Sequence, residues 1–180
     1  MRVGICGGGP AGLFLAVLFR RAGHDVMLRE RNPPGVTYGW GVVFSDESLA
    51  DLRDADYETY LEIDRALVRW SSIDIHYAGE LIRSTGHGFA AIARTTLLRL
   101  LAERAVAMGA DVVFSSEVPE ADPLAPFAGC DLVVAAGLLD SPKAVREHLA
   151  GYAEAGCDEL VLLPATSDPS ELDRLADALA

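Results

Sequence analysis

Blocks of apolar residues in the first thirty positions predict a strand, a glycine turn, a helix and a second strand. Residues 2–6 (RVGIC) are few and mostly apolar, which is typical of a buried parallel strand. Residues 13–22 are apolar up to a basic last turn, and Gly23 follows as a helix stop. Residues 26–28 (VML) predict the second strand. Together these blocks indicate a β–α–β unit with parallel strands.

The pattern continues with helices, a hairpin and further strands. Residues alternate on either side of Ala78-Gly79, which predicts a β-hairpin inserted over about 70–93, and the glycine-rich segment 36–46 is interpreted as a loop. The other predicted elements are helices over about 47–55, 57–67, 95–108, 142–155 and 169–179, and strands over 111–114, 131–136 and 159–163. The sequence therefore predicts an α/β fold. We expect a Rossmann-like parallel sheet in the order 3-2-1-4-5, counting parallel strands only, with helices on both faces.

The glycine turn between the first strand and helix fits the pattern G-x-G-x-x-G. Gly7 would make the tight turn, Gly9 would let the backbone approach a pyrophosphate, and Gly12 would let helix and strand pack closely. The helix N-terminus offers unpaired N–H groups and the positive end of the helix dipole to the phosphates. Glu30 follows Gly12 by 18 residues and would accept hydrogen bonds from ribose hydroxyls. The alternative is a glycine-rich turn in an ordinary α/β domain.

Composition is that of one globular domain with an acidic surface. The chain has 180 residues, of which 51% are hydrophobic, enough for a substantial core. No apolar run approaches the roughly 18–20 residues of a membrane span, and no leader precedes the first strand. We therefore expect a cytoplasmic protein with no membrane partner. The net charge of −12 argues against a nucleic-acid partner.

Few residues outside the glycine turn are candidates for catalysis or metal binding. Cys6, Cys130 and Cys157 lie far apart in apolar segments without metal-ligand spacing, so we expect buried thiols and no metal. His76 could be a ligand or a base, although a solvated strand position is the simpler interpretation. No acid–base pair or nucleophile is evident, so the sequence assigns no catalytic residue.

Several longer motifs resemble one family. They are GGGPAG in the turn, RERN at the end of the second strand, GWGVVFSD over 39–46, GHGFAAIARTTLLRLLAERA over 86–105, and DLVVAA over 131–136. Through them, residues 1–136 resemble the N-terminal part of single-component flavin monooxygenases with the p-hydroxybenzoate hydroxylase fold. Within that family the sequence is most similar to salicylyl-CoA and anthraniloyl-CoA hydroxylases. GWGVVFSD and GHGF are more specific than the glycine motif.

The resemblance implies FAD rather than NAD in the N-terminal site. The cofactor-binding residues that it implies are Gly7, Gly9, Pro10, Ala11, Gly12, Glu30, Arg31, Arg94 and Gly137. Arg94 matches an arginine that reaches the flavin nucleotide, and a guanidinium can fork onto phosphate oxygens. The alternative is a surface charge near a helix start. Residues 40–46 would lie near the isoalloxazine ring or form an ordinary aromatic loop, and His87 could polarise a flavin or substrate oxygen or be a turn residue.

The resemblance changes character after the DLVVAA strand. Family members continue with Asp-Gly, whereas this chain continues with Gly137-Leu138, so the Asp that helps to hold the cofactor is absent. Also absent are the large substrate-binding sheet and a later Gly-Asp segment. Residues 138–180 resemble the C-terminal end of luciferase-like flavin monooxygenases instead. We expect residues 1–136 to form an FAD-binding region and residues 137–180 to form a helix–strand–helix extension that completes the same domain.

The resemblance thus implies an FAD-binding oxidoreductase of the flavin-dependent aromatic monooxygenase type that lacks the usual substrate domain. Its reductant would be NAD(P)H and its substrate an aromatic or aryl-CoA compound. Two alternatives are a module that binds a dinucleotide without turnover and a fused gene fragment. A homo-oligomer or a protein partner could cover the exposed sheet and hairpin face, since exposed apolar patches favour association.

Overall fold

A computed structural model describes residues 1–119, 124–135, 142–154 and 156 of the chain. The strands are β1 (Arg2–Cys6), β2 (Asp25–Arg29), β3 (Gly41–Ser45), β4 (Val68–Tyr77), β5 (Glu80–Ala93), β6 (Asp111–Val113) and β7 (Leu132–Ala135). The α-helices are α1 (Pro10–Arg21), α2 (Asp46–Ala55), α3 (Tyr57–Asp64), α4 (Arg94–Ala107) and α5 (Pro142–Glu154). The predicted strand at 159–163 and the predicted helix at 169–179 lie outside the described residues.

The parallel sheet is built around β1. This strand pairs with β2 on one side and with β7 on the other, and β6 joins the far side of β2. The order β6-β2-β1-β7 corresponds to 3-2-1-4 among the parallel strands. The predicted α/β fold with a Rossmann-like sheet is therefore confirmed, while the place of the fifth strand stays a prediction.

Different elements cover the two faces of β1. Ile5 points to the face where α1 and α4 pack, and it shares a buried cluster with Leu13. Gly4 faces the other way, towards the short 3₁₀ helix Ala125–Phe127, and a Cβ at this glycine would lie 2.5 Å from Cδ1 of Phe127. The ring of Phe127 can therefore close that face only because residue 4 has no side chain.

A second sheet carries the two motifs that are most specific for the family. It is antiparallel, in the order β3-β5-β4, and it contains the predicted hairpin. The prediction of a loop over 36–46 was wrong in its second half, because Gly41–Ser45 is a strand that pairs with β5. Its partner lies about fifty residues later in the chain, for example Ile92 opposite Val42, so local sequence gives no sign of the pairing.

Side-chain caps fix the starts of α2 and α3. Ser45 caps α2, and its Oγ accepts a hydrogen bond from the N–H of Ser48 at 3.2 Å. Asp56 caps α3, and its Oδ2 accepts a hydrogen bond from the N–H of Thr59 at 3.1 Å. Such bonds satisfy N–H groups that have no partner within the helix. Within the described ranges no helix is long and apolar enough to cross a membrane.

Candidate functional site

The turn between β1 and α1 uses each of its glycines differently. Gly7 has a φ of +112° and donates its N–H to the carbonyl of Arg29 at 2.8 Å, which ties the turn to the end of β2. A Cβ at Gly12 would lie only 2.1 Å from the carbonyl oxygen of Gly7. A Cβ at Gly9, in contrast, would have no heavy atom within 4 Å. Space is therefore open beside Gly9, at the start of α1.

The side chain of Glu30 lies directly beside this turn. Its Oε2 accepts a hydrogen bond from the N–H of Gly8 at 2.6 Å. Its Oε1 accepts two from Asn32, one from the backbone N–H at 2.8 Å and one from Nδ2 at 2.7 Å. A Cβ at Gly8 would lie 2.8 Å from Cβ of Glu30, so the carboxylate approaches the turn where it does because residue 8 is a glycine.

These groups line one side of a cleft of about 620 Å³. Its walls come from the glycine turn, the segment after β2, one face of α4 and the residue after β6. The lining residues are Gly8, Gly9, Glu30, Asn32, Pro33, Pro34, Gly35, Val36, Thr37, Tyr38, Arg94, Thr95, Thr96, Leu98, Arg99, Ala102, Glu103 and Phe114. Arg94, the first residue of α4, donates from Nε to Oγ1 of Thr37 at 2.9 Å, which joins two of these walls.

The structure brings together some of the residues named from the sequence and leaves others apart. Gly9, Glu30 and Arg94 all line the cleft, with Gly7 and Gly12 in the turn behind it. Five described residues named from the sequence are not among the lining residues: Gly7 and Gly12 in the turn, Pro10 and Ala11 at the start of α1, and Arg31, which is exposed. Gly137 lies outside the described residues.

Sequence reasoning missed several lining residues. Asn32 and Thr37 were read only as parts of a motif and a loop, although polar side chains close to a strand end are a usual place for ligand contacts. Leu98 and Ala102 form a second stripe on α4, four residues apart and beside its buried stripe of Leu97 and Leu101. That second stripe is a signal in the sequence that could have placed the middle of α4 against a cleft, beyond what Arg94 indicates for its first turn.

The surroundings of Cys6, the last residue of β1, change the pKa of its thiol. Burial raises the pKa of its thiol, and the nearby carboxylate of Glu30 raises it further. The thiol therefore stays protonated at neutral pH, which does not favour a nucleophile. Cys6 is half-buried, so the prediction of a buried thiol was wrong for this residue, because the end of β1 is only partly covered. Cys130 is also half-buried rather than buried, and burial raises its pKa as well, whereas Cys157 lies outside the described residues.

The second sheet places the motifs GWGVVFSD and GHGF side by side. Phe89 pairs with Ser45 across β5 and β3, and the carboxylate of Asp46 occupies the space above Gly88, where a Cβ would lie 1.5 Å from Oδ2. His87 lies next to this contact. Its Nε2 is 2.7 Å from Oγ of Ser84, and its ring stacks on Phe89 with centroids 5.5 Å apart.

Trp40 and His76 are both exposed to solvent. Trp40 is 96% exposed, although its carbonyl accepts the N–H of Arg94 at 3.2 Å. His76 is an exposed residue of β4, and the carboxylate nearest to it in sequence, Asp74, is paired with Arg83. The position of His76 is the solvated strand position that the hairpin pattern predicts.

Residues 1–125 match the family described as FAD binding domain. This match spans more than half of the chain. The chain belongs to the FAD-binding domain family. The resemblance of the N-terminal region to flavin monooxygenases is thereby confirmed, whereas the resemblance of residues 138–180 to luciferase-like enzymes stays a prediction.

Curated relatives of this FAD-binding domain are much longer proteins. Salicyloyl-CoA 5-hydroxylase from a Streptomyces species is 42% identical over 136 residues, which are 74% of this chain and 26% of that enzyme. The 3-hydroxy-4-methyl-anthranilyl-[aryl-carrier protein] 5-monooxygenase of Streptosporangium sibiricum is 31% identical over 153 residues, which are 83% of this chain and 41% of that enzyme. The chain thus spans between about a quarter and two fifths of the length of these relatives.

Solved structures show the same fold. The tetrameric form of 2-methyl-3-hydroxypyridine-5-carboxylic acid oxygenase is 25% identical with a TM-score of 0.60, covering 68% of this chain and 33% of that one. CtdE, crystallised with FAD and a substrate, is 26% identical with a TM-score of 0.58, covering 67% of this chain and 31% of that one. Both similarities concern this domain rather than the whole of either protein.

The cleft suits the ADP half of FAD. The open space beside Gly9 adjoins the N-terminus of α1, where unpaired N–H groups and the helix dipole favour a pyrophosphate. Glu30 lines one wall with a carboxylate that could accept from a ribose hydroxyl, and Arg94 lines another with a guanidinium that could bind phosphate oxygens. The side chains of Leu98, Ala102 and Phe114 add apolar surface.

Proposed function

We propose that this chain binds FAD in the cleft and serves as the FAD-binding part of a flavin-dependent aromatic monooxygenase. One observation carries the proposal: Gly9, Glu30 and Arg94, which are far apart in sequence, line a single cleft of about 620 Å³ at the start of α1. The family supports FAD as the dinucleotide. The 42% identity to a salicyloyl-CoA 5-hydroxylase supports an aromatic or aryl-CoA compound as the substrate.

In this proposal the turn and its neighbours hold the ADP half. Gly7 and Gly12 fix the turn, Gly9 leaves room for the pyrophosphate, and the N–H of Ala11 in the first turn of α1 donates to it. Pro10 supplies the φ of the first helical position, where an N–H is not needed. For Arg31, which is exposed, and for Gly137, which lies outside the described residues, the assignment rests on the family resemblance alone.

The chain would contribute binding and orientation rather than acid–base chemistry. Bound FAD would supply the hydride and oxygen chemistry, with NAD(P)H as the reductant. The hydrogen bond from Nε of Arg94 to Thr37 orients the guanidinium towards the cleft that both residues line. Residues 40–46, which contain β3, lie beside the strand β5 that carries His87, and we propose both as contacts for the flavin ring or the substrate. We further propose a cytoplasmic location.

A second candidate function is an FAD-binding module that acts only with a partner. The hairpin of β4 and β5 favours it, because residues 71–83 are exposed on both faces. One face carries Ile73, Ile75 and Ile82, which are 38%, 49% and 50% exposed. A two-stranded hairpin in water is marginal without further packing, so a protein partner or a second copy would cover this face.

A titration with FAD tests the proposed site. Wild type should quench the fluorescence of added FAD, and Gly9→Val should weaken binding by about a hundredfold, because two methyl groups would fill the space left for the pyrophosphate. Gly151→Val is the matched control, since a Cβ there also meets no atom within 4 Å but the residue lies in α5, outside the cleft lining. Equal affinities for the wild type and Gly9→Val would contradict the proposal.

NAD(P)H oxidation under air distinguishes the two candidate functions. A chain that binds FAD and oxidises NADH or NADPH faster with an aryl-CoA compound present supports the monooxygenase. A chain that binds FAD and oxidises neither nucleotide supports the partner-dependent module.

A further inference from the structure

The carboxylate of Glu30 has almost no free hydrogen-bonding capacity in this structure. A carboxylate offers about four lone-pair positions, two on each oxygen. Both positions on Oε1 are used by Asn32, whose N–H and Nδ2 lie at 2.8 and 2.7 Å. One position on Oε2 is used by the N–H of Gly8 at 2.6 Å. A single acceptor position, on Oε2, is left on the side chain that lines the cleft.

Asn32 is itself fixed by the end of the parallel sheet. Its carbonyl accepts the N–H of Ser115 at 3.1 Å. Two neighbouring bonds continue the pairing of β2 with β6: the N–H of Glu30 donates to Val113 at 2.9 Å, and its carbonyl accepts the N–H of Ser116 at 2.9 Å. Backbone hydrogen bonds to residues 113–116 therefore fix both residue 30 and residue 32. The backbone N–H of Asn32 consequently cannot leave Oε1 of Glu30 without breaking this pairing, and it places the Asn32 side chain beside the same oxygen.

From this geometry we infer that Asn32 is a positioning residue that makes Glu30 recognise one ribose hydroxyl of the adenosine rather than both. With Oε1 saturated, a ribose cannot place its 2′- and 3′-hydroxyls on the two carboxylate oxygens at once. One hydroxyl donates to Oε2 beside the N–H of Gly8, and the other lies away from the carboxylate. The inference rests on the proposed binding of FAD in this cleft.

Asn32 therefore controls selectivity. In Asn32→Ala the Nδ2 donor is lost and a position on Oε1 becomes free, so the carboxylate can rotate or accept a second hydroxyl. Discrimination between the two hydroxyls then disappears, even where overall affinity falls only slightly. A residue that merely supported the fold would weaken all nucleotides in proportion and leave their ratios unchanged.

ADP, 2′-deoxy-ADP and 3′-deoxy-ADP serve as probes, each measured by competition with FAD on the full chain. For wild type, one deoxy compound should bind roughly tenfold to a hundredfold more weakly than ADP, as expected for a lost hydrogen bond to a charged group. The other should stay within about threefold of ADP. In Asn32→Ala the two deoxy compounds should bind within about threefold of each other. Thr37→Ala is the matched control, because Thr37 lines the same cleft but bonds Arg94, and it should keep the wild-type ratio.

Two results would overturn the inference while leaving the proposed function intact. One is equal penalties for the two deoxy compounds in wild type, which needs no variant to fold. The other is an unchanged ratio in a folded Asn32→Ala. If wild type binds neither FAD nor ADP, the proposed function itself fails and the inference fails with it.

Discussion

Replacement of Gly12 by alanine gives the sharpest test of how the turn is built. The new Cβ would lie 2.1 Å from the carbonyl oxygen of Gly7, whereas ordinary contacts begin near 3.4 Å, so one of the two backbones must move by the difference of 1.3 Å. Neither atom belongs to a flexible side chain. Overpacking of this kind costs about 1–3 kcal/mol, and the better helix propensity of alanine returns less than about 1 kcal/mol.

A net loss of about 1–2 kcal/mol should lower the melting temperature of the cofactor-free protein by roughly 2–8 °C for a domain of this size. Thermal unfolding followed by circular dichroism measures it. Gly9→Ala is the matched comparison in the same turn, and since its Cβ meets no atom within 4 Å it should change the melting temperature by less than about 2 °C. A Gly12→Ala protein that melts within about 1 °C of wild type would refute this account of the turn.

Three further predictions concern stability and pH. Ala78 has a φ of +50° in the two-residue turn between β4 and β5, a conformation that asparagine adopts more readily than alanine. Ala78→Asn should therefore raise the free energy of unfolding by about 0.5–1 kcal/mol in urea titrations. A lower free energy of unfolding would contradict the backbone strain assigned to Ala78. Asp56, which is 4% exposed, accepts hydrogen bonds from both the N–H and the Oγ1 hydroxyl of Thr59. Asp56→Ala should therefore lower the free energy of unfolding by about 3 kcal/mol. A decrease of less than about 1 kcal/mol would argue against this capping role. Burial and Glu30 raise the pKa of Cys6, so the folded state favours the protonated thiol: its contribution to stability is complete below the ordinary thiol pKa of 9.0 and is lost as pH rises through the raised value. Urea titrations from pH 7 to 10 should show a steeper loss in wild type than in Cys6→Ala, and parallel losses would count against it.

The sequence allows the parallel sheet to be predicted because its signals are local. The apolar block of β1, the glycine turn and the arginines that end α1 each specify an element within a few residues. β3 was missed for the opposite reason: Gly41–Ser45 is a strand only because β5 pairs with it. Where a distant partner decides the conformation, a window of local sequence cannot reveal it.

The residues of the candidate site likewise include some that local sequence predicts and others that only the fold reveals. Glu30 could be named from its distance to the glycine turn, since both ends of that spacing belong to one β–α–β unit. Asn32 and Thr37 could not, because their roles depend on how the segment after β2 lies against Glu30 and Arg94. The contact between Asp46 and Gly88 is of the same kind. The motifs were recognisable as motifs, but their adjacency appears only in the fold.

The three glycines of the G-x-G-x-x-G motif are needed for different physical reasons. These reasons determine which glycine can be used to test cofactor binding. Gly7 needs a positive φ and Gly12 needs a missing Cβ for the turn to close at all, so a chain with this fold must keep them whether or not a dinucleotide binds. Gly9 is under no such constraint, because a side chain there would meet only the open cleft. A loss of FAD binding in Gly12→Ala would therefore report on folding. The same loss in Gly9→Val, with the melting temperature preserved, would report on the cofactor.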